Sequence, residues 1–189
     1  VSMILGLAFV PFAQAAYLQA DLPAPNADPN VGTHLIIAGN GMEAGDQWLQ
    51  AAHTQALIFK DRRKHGAIRV IAAIMNSNTV PMFQRWGYTN IQVFQQTMTG
   101  DAVVDLIKQV PIIGSLDFIG HNGALLGYAM EDYNHRFFMN QMLALLSIRD
   151  HFTRDSFIRL MGCNTGWYLA PWAAEELAIP VAGVLTAAA

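Results

Sequence analysis

The residues best suited to covalent chemistry in this 189-residue chain are Cys163, its single cysteine, and His121, which stands 42 residues earlier. A thiol becomes a nucleophile when a base or a positive environment raises its thiolate fraction. An imidazole titrates near neutrality and is the natural group to take that proton and pass it on. Each follows an apolar run and lies in a glycine-bounded turn. Leu116-Asp117-Phe118-Ile119 leads into Gly120-His121-Asn122-Gly123, and Phe157-Ile158-Arg159-Leu160-Met161 into Gly162-Cys163-Asn164-Thr165-Gly166. Glycines let backbone N–H groups come close to a substrate oxygen, as an oxyanion hole requires. Acyl transfer through a thioester is the chemistry such parts support. The plain alternatives are a buried cysteine acting as a small apolar filler and a histidine hydrogen-bonded at a strand end.

The elements that must position these residues follow from the apolar pattern. Short β-rich runs are expected at 33–38, 68–74, 91–94, 116–119, 157–161 and 181–185, separated by helices over 43–61, 81–86, 101–110, 136–150 and 167–178. Apolar strands alternating with helices predict an α/β three-layer sandwich around a mostly parallel six-stranded sheet. Phe137, Phe138, Met139 and Met142 are expected as core residues of a helix. In such sheets, ligands and catalytic groups gather beyond the carboxyl ends of the strands. Both 120–123 and 162–166 occupy that position, as does the turn at 39–45. Neighbouring strands lie about 4.8 Å apart, so side chains at their tips can meet. A helix following Cys163 would also place the thiol at a positive helix N-terminus.

Gly39 and Asn40, with Asn122, Asn164 and Thr165, are the candidates for lining a cleft at these turns. The run Gly39-Asn40-Gly41-Met42-Glu43-Ala44-Gly45 superficially suggests a dinucleotide loop, but its spacing differs from the standard fingerprint. Its simpler role is a tight strand-to-helix turn. His34, His53, His65, His135 and His151 show no ligand spacing among themselves or with Cys163, so neither a metal nor a cofactor is expected. Asp117, Glu131 and Asp132 lie near the proposed site in sequence, where they could orient His121 or remain solvated acids.

Composition bounds the rest. The chain is 53% hydrophobic and 13% charged with a net charge of −3, which fits one well-packed domain and excludes disorder. No basic stripe could follow a phosphate backbone, so nucleic acid is not an expected partner. The apolar run Met3–Val10 followed by Ala13-Gln14-Ala15 fits a signal peptide cleaved after Ala15. The run is too short to span a bilayer, so no integral membrane span is expected after cleavage. No Met starts the chain and no positive segment precedes the run, so a leader clipped at its N-terminus is expected. Residues 16–32 read as an extended lead-in and 33–189 as the α/β domain, which ends soon after a strand, where further chain is expected. Export makes an unpaired cysteine notable, because secreted domains usually pair theirs.

The two segments Leu116–Gly123 and Ile158–Gly166, with the helix and strand between Ala173 and Val184, resemble the caspase-like cysteine peptidases. These include caspases, legumains, gingipains and the self-processing protease domains of large bacterial toxins. The same segments are similar to caspase-like modules of bacterial surface proteins, and the resemblance covers residues 68–185. It implies a caspase-like fold in an exported bacterial protein, periplasmic or secreted, acting on a peptide or protein substrate. It implies Cys163 as nucleophile, His121 as general base and acid, and the backbone N–H groups of Gly123 and Cys163 as oxyanion donors. The family pattern places glycine directly after the histidine. Here Asn122 intervenes, which displaces the donor at Gly123 or passes its role to the Asn122 N–H. Two alternatives stand beside a peptidase: a non-catalytic binding module of the same fold, and a Rossmann-like nucleotide binder.

Overall fold

A strand covered on both faces reads as a near-continuous apolar run, and the central strands follow this pattern. In the computed structural model, which describes residues 16–39, 46–123, 127–132 and 134–185, β5 (Ile113–Ile119) is buried at every position. It runs between β2 (Thr33–Ala38) and β9 (Phe152–Met161), parallel to both. The full sheet also contains β1 (Tyr17–Leu22), β3 (Ile68–Ala73), β4 (Thr89–Phe94) and β10 (Val181–Gly183), in the order β10-β9-β5-β2-β3-β1-β4. The proposed leader at 1–15 lies outside the described residues.

The sheet thus has seven strands rather than the six expected. The additional strand is β1, from the segment expected to be an extended lead-in. It inserts between β3 and β4, antiparallel to both. Tyr17, Leu18, Ala20 and Leu22 are buried, and the polar Asp21 is held across the ladder by Arg69 Nε at 2.7 Å. An antiparallel neighbour needs no crossover helix, so β1 can close this side of the sheet directly.

Helices cover both faces. One face carries α1 (Gln47–Lys60) and α2 (Thr79–Arg85), which bury Leu49, Ala52, Ala56, Phe59, Met82 and Phe83. The other carries α3 (Gly100–Lys108), α4 (Met139–Ala144) and α5 (Leu169–Leu177), with Val103, Ile107, Met142, Ala173 and Leu177 in its core. Each of these large aliphatic or aromatic side chains contributes about 1.5–3 kcal/mol by leaving water. Thr99 starts α3 by accepting the Ala102 N–H at 3.1 Å, the usual service of a threonine N-cap. Gly87, at φ +82°, turns the chain after α2. Among the described residues, no helix is long and apolar enough to cross a membrane.

The stretch expected as one helix over 136–150 is three pieces. Arg136–Phe137 forms β8, α4 follows, and a 3-10 helix over Leu145–His151 is interrupted at Ile148. β8 pairs with β7 (Gly127–Ala129), which pairs with β6 (Asn122–Gly123), making a small antiparallel sheet just beyond β5. Phe137 is buried as expected, but on this strand. Phe138, the residue between β8 and α4, instead stands 40% exposed.

Candidate active site at the tips of β5 and β9

β5 and β9 are adjacent and in register, with Ile119 opposite Met161. The Gly120 N–H donates to the Met161 carbonyl at 3.4 Å. His121 and Cys163 stand at equivalent places one step further, so their backbones leave the sheet side by side. Asn122 ties the two turns by donating its Nδ2 to the Cys163 carbonyl at 3.0 Å. His121 is half-buried, and its ring meets Trp48 of α1 at 5.2 Å between centroids and 76° between planes. Edge-to-face contact of this kind fixes a ring's direction. Cys163 is a free thiol, partly exposed.

Close packing builds the cysteine turn. A Cβ on Gly162 would lie 2.8 Å from Asn122 Cβ, Gly120 O and Tyr128 Cε1, so only glycine fits. Asn164 takes the left-handed conformation at φ +58°, which asparagine adopts more readily than most residues. It is half-buried, beside the thiol. Thr165 does not line a cleft. It is fully buried, with its hydroxyl 2.6 Å from Leu160 O and 3.0 Å from Gly162 O while accepting the Val184 N–H at 2.9 Å. It braces β9 against the chain leaving β10. Gly39 is likewise covered: a Cβ there would fall 2.0 Å from Ala129 O, because the small sheet sits against it. Asn40 lies outside the described residues.

Two further expectations change. α5 begins at Leu169, and residues 164–168 are turns. The field of a helix terminus fades within about one turn, so the thiol does not sit at this one. The pairing of β6 also bears on the Gly123 N–H, expected as an oxyanion donor. Gly123 pairs with Gly127 and Asn122 with Tyr128, while the His121 carbonyl accepts the Ala129 N–H at 3.0 Å. In an antiparallel ladder, hydrogen-bonded and non-hydrogen-bonded pairs alternate. Gly123 is therefore a hydrogen-bonded position, its N–H directed at Gly127. The Asn122 N–H points the other way, out of the small sheet.

The nearby acids are occupied. Asp117 is fully buried and held by both arms of Arg159, at 2.7 and 2.6 Å. Burial raises its pKa, while the hydrogen bond and charge of Arg159 oppose the rise. Glu131 accepts the Met98 N–H at 2.9 Å. Asp132 accepts from the Asn134 and His135 backbones and pairs with His135 Nδ1 at 2.9 Å. Thus Asp117 braces the sheet, Glu131 ties its loop to the segment before α3, and Asp132 holds its own loop. Burial keeps the Tyr128 phenol well above its ordinary range, with the Thr165 hydroxyl opposing and the nearby Cys163 thiol adding to the rise.

A second histidine–hydroxyl pair, His34 Nδ1 with Ser115 Oγ at 2.9 Å, is buried under α1 where no substrate reaches. The His34 pKa falls to about 4 through burial first, then the charges of Arg62, His65 and Arg159.

Trp48 is the site residue that sequence reading passes over, since its spacing marks it simply as helix core. The available signal was position: the first turn of a helix after β2 necessarily lies at the carboxyl edge of the sheet. Its buried Nε1 and the Asn122 Oδ1 have no hydrogen-bond partner, an arrangement uncommon in a structural core. Among the described residues, no cluster of three or more His, Cys, Asp or Glu could hold a metal ion. No protein-family model matches the chain, and neither a curated protein nor a solved structure shows significant similarity to it.

Proposed function

We propose that this chain is an exported cysteine peptidase of caspase-like type, with Cys163 as nucleophile and His121 as its base and acid. The observation carrying this reading is the register of β5 and β9, which releases the two residues from neighbouring strand tips. Asn122 clamps the turns together, and Trp48 gives the imidazole a fixed neighbour. Both members lie partly accessible rather than sealed in the core.

The chemistry needs no cofactor. His121 takes the thiol proton as sulfur attacks the peptide carbonyl carbon. The resulting oxyanion is met by the backbone N–H groups of Cys163 and Asn122, the latter taking the place the family pattern gives to glycine. Collapse breaks the C–N bond, His121 returns the proton to the leaving amine, and a thioester remains. Water, deprotonated by His121, then attacks the thioester to release the acid and restore the thiol. Holding donors in fixed positions before charge develops is worth about 2.7–4 kcal/mol per donor. The apolar run at 3–10 with Ala13-Gln14-Ala15 supports export to the periplasm or beyond.

Cleavage of a peptide library, or of the chain itself, tests the proposal. Cys163→Ala abolishes cleavage while the circular-dichroism spectrum is unchanged; cleavage that survives rejects the nucleophile. A non-catalytic module of the same fold is the second reading, favoured by the start of α5 at Leu169, which withholds helix-terminus charge from the thiol. That reading requires no cleavage from either protein.

A further inference from the structure

We infer that the substrate residue whose carbonyl is attacked carries a large apolar side chain, received by Trp167, Tyr168 and Leu185. The inference rests on the proposed peptidase reading and names its substrate class. These three residues are conspicuously open, at 70%, 47% and 59% exposed. They form one patch. Trp167 Nε1 donates to the Leu185 carbonyl, the Gly166 N–H donates to Val184 O at 2.8 Å, and a Cβ on Gly166 would touch Leu185 Cδ2 at 2.9 Å. The Trp167 backbone N–H also bonds Asn164 O at 3.3 Å, a turn that begins one residue after Cys163. The patch is therefore continuous with the segment that carries the thiol. A hydrogen-bonded indole is already oriented, so little freedom is lost when an apolar group covers it. Exposed aromatic residues grouped in this way mark recognition surfaces.

Charge points in the same direction. Residues 161–174 and 179–185 contain no charged side chain, and 119–130 contain none besides His121. The cation nearest in the ladder, Arg159, is committed to Asp117, Glu131 to the Met98 N–H and Asp132 to its own loop. Among the described residues of these segments, none is an arginine that could receive an acidic side chain or a carboxylate that could receive a basic one. Placing such a charge on this surface would desolvate it without a partner.

A series of peptidyl acyloxymethyl ketones, identical except for leucine, phenylalanine, aspartate, asparagine or arginine next to the reactive ketone, tests this on the full chain. The Leu and Phe probes are expected to label Cys163 at least about tenfold faster than the Asp and Arg probes. Trp167→Ala narrows that ratio to about threefold or less, and Trp167→Phe keeps most of it. Equal rates across the series, or fastest labelling by Asp, Asn or Arg, overturn the inference. So does failure of every peptide probe in a protein whose iodoacetamide alkylation still depends on His121, because the dyad then works while the surface does not bind. Alkylation that ignores His121 instead removes the peptidase reading, and this inference with it.

Discussion

Two pairs of residues stand across β5 and β9 at the same sequence separation: Asp117 and Arg159 bonded within the ladder, and His121 and Cys163 just past its end. Both exploit one parallel ladder. The first pair lies inside the sheet, where Asp117 has no solvent exposure and both its oxygens are held by one guanidinium that also stacks over Phe59 and Phe157. The second lies one turn of chain further on, past the last paired residues, where glycines replace the apolar run. A charged pair within the ladder has its partners supplied by the fold and is consumed by structure. The residues at the tips are partly exposed, and nearby Trp48 Nε1 and Asn122 Oδ1 go unpartnered. Two pairs at one separation thus meet different surroundings after a shift of only four residues along each strand.

Removing one member of the inner pair should reveal this most strongly. Asp117→Ala leaves Arg159 without its partner, and urea denaturation should show a loss of about 3 kcal/mol, the lower part of the range for a broken buried pair. His121→Ala and Cys163→Ala, at partly exposed positions, should each cost less than about 1 kcal/mol. If the tips cost as much as the centre, the contrast between the pairs fails.

The brace beneath the cysteine turn comes next. Thr165→Val keeps the shape but leaves the Val184 N–H without its acceptor, which should cost about 2 kcal/mol in the same measurement. A neutral substitution would mean that the turn is held elsewhere.

His34 provides a pH test of the covered face. Its folded pKa of about 4 lies below the unfolded value of 6.5, so the folded imidazole stays neutral while the unfolded one takes up a proton. The stability from this group is complete above pH 6.5 and is lost as pH falls toward 4, with about 2 kcal/mol gone by pH 5. Asp117, whose pKa is raised by burial, acts in the opposite sense, so the comparison is the difference between the protein and His34→Leu. Chemical denaturation at pH 7 and pH 5 should show the steeper loss in the unmodified protein. Equal losses would mean that His34 is not held neutral.

The smallest effect belongs to the link between the turns. Asn122→Ala removes one hydrogen bond to the Cys163 carbonyl, worth about 1 kcal/mol. Thiol labelling should change more than stability does, because the register of the two turns loosens.

The sequence made the central strands and the site legible for a single reason. Thr33–Ala38, Ile68–Ala73 and Leu116–Ile119 are nearly unbroken apolar runs, and a parallel sheet places their ends along one edge. β1 was harder to see, since Tyr-Leu-Gln-Ala-Asp-Leu alternates with polar residues whose partner, Arg69, lies far away in sequence. β9 begins at Phe152 rather than Phe157, as Thr153-Arg154-Asp155-Ser156 interrupt its apolar pattern where the register with β5 shifts. The 136–150 stretch has helical apolar spacing, but Gly127 approaches the Phe137 backbone so closely that a strand forms first: a Cβ at Gly127 would meet Phe137 O at 2.2 Å. That His121 and Cys163 follow the ends of neighbouring strands was readable from the apolar runs. The direction of the Gly123 N–H was not, because it depends on a register set by β7.

The most direct test is the rate of Cys163 alkylation by iodoacetamide at pH 7 in the full chain and in His121→Ala. Proton removal by a neighbouring imidazole predicts a fall of about tenfold or more when the ring is removed. Equal rates would contradict the pairing of these two side chains, and Cys163 would then be an ordinary thiol at the end of a strand.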